Sequence, residues 1–148
     1  LIKIAPVIPL AKPEAKFQPI WVEDVAQIFV QSIAQTQSYG NIYELGGPRV
    51  YTMRQIIEFV AFILGKKRAI IGLNDQLSYA QAMAMELSPI KLMTRDNVRS
   101  MELDSVTSQP LPTWACLQAA SVEAIVPEYL GNQSPRNAYL AFRSLAGR

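Results

Sequence analysis

The chain has 148 residues, 50% of them hydrophobic and 18% charged, with 14 basic and 12 acidic side chains and a net charge of +2. That length allows one domain or part of a larger one, and the composition excludes a disordered polar tail. Histidine is absent and Cys116 is the single cysteine, so this sequence alone can build no Ser-His-Asp triad, Cys-His dyad, His-based zinc site or internal disulfide.

In chain order, Leu1 to Leu10 is apolar and interrupted by Pro6 and Pro9, which confine an extended segment to a sheet edge or a loop. Ala11 to Lys16 reads as a turn. Phe17 to Val22 (FQPIWV) is β-branched and aromatic and predicts a short strand, held to an edge by Pro19. Asp24 is the expected N-cap of the next helix, because its side chain can accept from the free N–H groups of a first turn. Gln27, three residues on, would complete a capping box. Val25, Ile28, Phe29, Ser32 and Ile33 then recur at helical spacing through about Thr36. Ile42 to Leu45 predicts a strand closed by a turn at Gly46-Gly47-Pro48.

Thr52 is the expected cap of a second helix, with Gln55 as its capping-box partner. Met53, Ile56, Ile57, Val60 and Leu64 mark its buried face, and Gly65 its stop. Lys66, Lys67 and Arg68 follow directly. Three cations there read as a solvated helix end that complements the helix dipole. They are too few for a phosphate track, so no nucleic-acid partner is expected. Arg68 to Leu73 predicts another strand.

Three weaker helices are expected downstream. Asp75 to Leu87 would bury Leu77, Ala80, Met83, Ala84 and Leu87. Thr94 to Leu103 would turn Val98 and Met101 inward. Leu117 to Leu130 carries a stripe of Val122, Ile125, Val126, Tyr129 and Leu130, with Pro127 kinking or restarting it. A sub-boundary is expected near 88–94 and a linker over 107–113, around Gln109-Pro110-Leu111-Pro112. Arg136 to Leu145 would form a last helix through Tyr139, Phe142 and Leu145. No apolar run reaches the roughly 18 residues that span a bilayer; Ile56 to Leu64 is short and contains Glu58. The opening Leu1-Ile2-Lys3-Ile4 has neither an initiator methionine nor a signal-peptide layout. The expectation is a processed or cut piece of a cytoplasmic protein, which the lone cysteine fits.

Order and spacing carry more than any single residue. Val22, Asp24, Val25 and Ala26 precede a helix; Tyr43, Glu44, Leu45, Gly46, Gly47 and Pro48 precede Thr52 and a second one. This series resembles the extended and atypical short-chain dehydrogenases, the NAD(P)-dependent epimerase/dehydratase family. Ala5-Pro6-Val7-Ile8-Pro9-Leu10, Phe17-Gln18-Pro19-Ile20, Asp96-Asn97-Val98, Pro112-Thr113 and Val122 to Pro127 are similar to one branch. That branch holds the Rossmann-fold accessory subunit of respiratory complex I and its bacterial relatives.

The resemblance implies an α/β, Rossmann-like parent fold. Residues 1–148 would be its C-terminal, substrate-side portion, itself a helix-rich mixed α+β piece with a few short strands. In the family the N-terminal half holds the chemistry: a glycine-rich turn for the cofactor pyrophosphate and a Tyr-x-x-x-Lys pair. Neither is here. Gly46-Gly47-Pro48 has the wrong spacing, and none of the six tyrosines has a lysine four residues on. The implied reading is therefore no catalytic residue and no cofactor bound by this fragment. NAD(P) would belong to the full-length parent, and the missing N-terminal Rossmann half would be the partner. Sugar-nucleotide epimerases carry a diphosphate-gripping arginine where this chain has Phe17, which argues against such a substrate.

Gln18, Trp21 and Arg49 are the candidates to face a substrate, against a plainer reading of strand packing for Trp21 and solvent for Arg49. Two alternatives stand beside an NAD(P)-dependent epimerase or reductase: a non-catalytic accessory or assembly subunit, and an independent protein-interaction module. An uncovered sheet edge would also favour self-association.

Overall fold

The computed structural model describes residues 5–87 and 93–130. They form a mixed α+β fold of five α-helices and four short strands. The chain divides into two compact units, crossing between them after Gln18, Arg49 and Thr107. Within the 88–94 stretch, residues 88–92 lie outside the described residues, as does the helix expected at Arg136 to Leu145. No helix among the described residues is long and apolar enough to cross a membrane.

The first unit comprises residues 5–18, 50–87 and 93–107. Strand β1 (Val7–Leu10) pairs in parallel with β4 (Ala69–Gly72), Val7 opposite Ala69 and Leu10 opposite Gly72. Pro9 sits inside β1, as an edge strand allows, and its carbonyl accepts from Gln81 Nε2 at 3.0 Å. β2 (Lys16–Phe17) pairs antiparallel with β3 (Tyr51–Thr52). The strand expected over Phe17 to Val22 is thus a single residue of β2. Pro19 has no N–H for a ladder, and Val22 already begins a helix.

Helix α2 (Met53–Ile63) begins as its sequence predicts. Thr52 Oγ1 accepts from the Gln55 N–H at 3.2 Å, and Gln55 Oε1 accepts from the Thr52 N–H at 2.9 Å. Replacing Thr52 by Ala leaves a first-turn donor without its acceptor and is expected to cost about 1 kcal/mol. Chemical denaturation of T52A against T52S measures this, and equal stabilities would overturn it. The helix ends on Gly65 at φ +63°, with the Lys66 N–H on the Ala61 carbonyl and the Gly65 N–H on that of Phe62, both at 2.9 Å. That is the six-to-one and five-to-two closure that a left-handed glycine permits.

Helix α3 (Asp75–Glu86) is capped by Asn74, whose Oδ1 accepts from the Leu77 N–H at 2.9 Å. Its buried side is not the expected one. Ser78 and Ala82 are fully buried, whereas Leu77 and Met83 are over half exposed and Leu87 is 86% exposed. Small side chains admit the close approach of neighbouring backbone, and Ser78 Oγ satisfies itself on the Asn74 carbonyl at 2.8 Å. Ala82 joins Ala11 and the fully buried Val98 in a core flanked by Tyr79 and Met93. Val98 lies on α4 (Arg95–Ser100), capped by Thr94.

The second unit comprises residues 19–49 and 108–130. Helix α1 (Val22–Ile33) starts two residues before Asp24 and has Trp21 as an N-cap with no side-chain cap bond. Asp24 is therefore not the cap, and it forms no capping box with Gln27. It is buried in the first turn, and its Oδ2 accepts from the Ala120 N–H at 2.8 Å. A turn of 3-10 helix over Thr36–Ser38 follows. Ile42 to Leu45 is not a strand: it runs outside any ladder, with Ile42 92% exposed.

Helix α5 (Val122–Leu130) starts later than Leu117. The preceding amides are engaged elsewhere, Cys116 N–H by Gln31 Oε1 and Ala120 N–H by Asp24, both at 2.8 Å. Ser121 Oγ accepts from the Ala124 N–H at 3.3 Å to open the helix. Pro127 sits inside α5, which does not restart there.

The core is thin. Nine hydrophobic residues are buried among the described ones, four of them alanines, while seventeen large hydrophobics are exposed.

Candidate functional site

In the second unit, α1 and the 38–45 segment enclose an open apolar cleft of about 340 Å³. Ile28, Phe29, Ile42, Tyr43, Leu45 and Trp114 form most of its wall. The Tyr43 ring meets Trp114 edge-on, centroids 5.5 Å apart and planes at 86°, a favoured aromatic geometry. Trp114 is 9% exposed, and its indole N–H meets no acceptor among the described residues.

The cleft's polar groups are turned to local backbone. Ser32 Oγ donates to the Phe29 carbonyl at 2.7 Å, and Ser38 Oγ to those of Ser32 and Gln35 at 2.9 and 2.7 Å. Asn41 Nδ2 and the Tyr43 hydroxyl both donate to the Gln37 carbonyl, at 2.9 and 3.1 Å. Each of these hydroxyls donates to a backbone carbonyl. The cleft offers shape and apolar surface.

A second groove of about 220 Å³ runs along Pro19, Trp21, Ala120, Val122, Val126 and Tyr129. Here Trp21 Nε1 donates to the Tyr129 hydroxyl at 3.3 Å. Arg49 pairs with Glu123 at 3.7 Å, and its side chain is 70% exposed, so the pair adds little. Trp21 and Arg49 thus share α5 as a partner, Tyr129 for one and Glu123 for the other. Gln18 belongs to the first unit. Its Oε1 accepts from the Thr107 N–H at 2.9 Å and its N–H donates to the Ser105 carbonyl at 3.0 Å, clamping two chain segments. Trp114 was not legible as a wall residue. It follows Pro110-Leu111-Pro112-Thr113, where no periodicity assigns a face.

Two titratable pairs of the first unit have a resolved electrostatic consequence. Lys12 Nζ lies 2.8 Å from Asp75, and the Tyr79 hydroxyl donates to Glu102 at 2.7 Å. Those hydrogen bonds are the largest cause holding each pKa above its ordinary value, 10.5 for Lys12 and 10.0 for Tyr79. Both groups keep their protons more tightly folded than unfolded. Their contribution is therefore complete below pH 10.0 and is lost as pH rises through the folded values. Melting temperature is expected to fall on that alkaline side, less steeply in Y79F; an unchanged slope would refute the assignment. Among the described residues no group of three or more Cys, Asp or Glu side chains could hold a metal ion.

No protein-family model matches the chain, and no curated protein matches it.

Proposed function

We propose that the chain is the substrate-side portion of an NAD(P)-dependent epimerase/dehydratase-like protein. It walls a pocket whose reactive chemistry comes from a Rossmann-type half that this sequence does not contain. The observation that carries this reading is the cleft of the second unit. Tyr43 and Leu45, two of the residues that carry the resemblance, line it beside Ile28 and Phe29 of α1, and its hydroxyls are tied to backbone. A wall of that kind positions and excludes water without reacting.

The residues present do not fit the dinucleotide itself. No lysine or arginine lines either groove, and no glycine-rich turn opens a helix here. A pyrophosphate needs both backbone donors and charge. In this reading NAD(P) binding belongs to the other half. The exposed free Cys116 fits a cytoplasmic protein. One observation favours a second reading, a non-catalytic accessory subunit of the complex I type: Phe17, at the place of the diphosphate arginine, is half-buried on β2 opposite Tyr51.

Calorimetric titration with NADH and NADPH tests the proposal. The 148-residue chain is expected to bind neither, and the protein extended by its upstream coding sequence to bind one at micromolar concentration. Micromolar binding by the chain alone, or an upstream sequence without a strand and glycine-rich turn, would overturn it. Turnover of NAD(P)H by the longer protein separates the enzyme from the accessory subunit.

A further inference from the structure

We draw no further inference here: the strongest candidate, the open apolar cleft between α1 and the 38–45 segment with the buried, unpartnered Trp114 indole N–H in its wall, carries nothing further, because nothing in the structure shows what covers it.

Discussion

Gly47→Ala is expected to be the most damaging small substitution in the second unit. A Cβ at Gly47 would fall 1.8 Å from the Pro19 carbonyl oxygen and 2.8 Å from its carbon. Both are backbone atoms, so no side chain can swing aside. The main chain of one segment must move, and Gly47 is buried. Overpacking of this kind costs about 3 kcal/mol, the upper part of its usual range. For a chain of this length that lowers Tm by roughly 6–12 °C.

Gly40→Ala is the natural comparison. Gly40 has φ +68° but nothing within 4 Å of an added Cβ. Its substitution meets only the left-handed backbone penalty, about 1–2 kcal/mol. Thermal melts of the two variants should therefore separate clearly. If G47A melts within a degree or so of the parent, the close approach to Pro19 is not a feature of the folded protein. By sequence Gly47 reads as part of a turn; in the structure it is the residue that lets two segments touch.

Asp24→Ala should come next, at about 1.5–3 kcal/mol, as expected when a part-buried N–H loses a carboxylate acceptor. The bond to Ala120 joins positions 96 residues apart, so its loss loosens the 114–121 segment rather than the start of α1. Two further variants separate pin from cap. Asp24→Asn keeps an acceptor oxygen and should retain much of the stability. Asp24→Ser would serve a capping role well but is too short to replace the pin, so it should resemble the alanine variant. Amide exchange gives the direct readout: the Ala120 N–H should lose protection in D24A while the α1 amides keep theirs. Stability rescued by serine would restore Asp24 to a capping role.

Both residues belong to the stretches that resemble the dehydrogenase family, and in both the chemistry is structural. Asp24 is an acceptor for a distant amide, and Gly47 is a gap where a side chain cannot go.

Features that depend on a few neighbouring residues were legible without the fold. The Thr52–Gln55 capping box, the Gly65 stop, the α2 span and the strand at Ala69–Gly72 all rest on contacts within a turn or on a short apolar run between breakers. Exclusions by composition are equally local: without histidine, no arrangement of this chain makes an imidazole base. Long-range contacts set the rest. Helix α3 has two faces that could pack, and the one with Ser78 and Ala82 is buried because Ala11 and Val98 meet it closely. Asp24 has the right chemistry for a cap, yet a backbone amide far along the chain reaches it first. Ile42 to Leu45 has strand-forming residues but no ladder among the described residues. In each case the local preference is worth about 1 kcal/mol or less, and a long-range contact that buries a polar group or closes a core outweighs it.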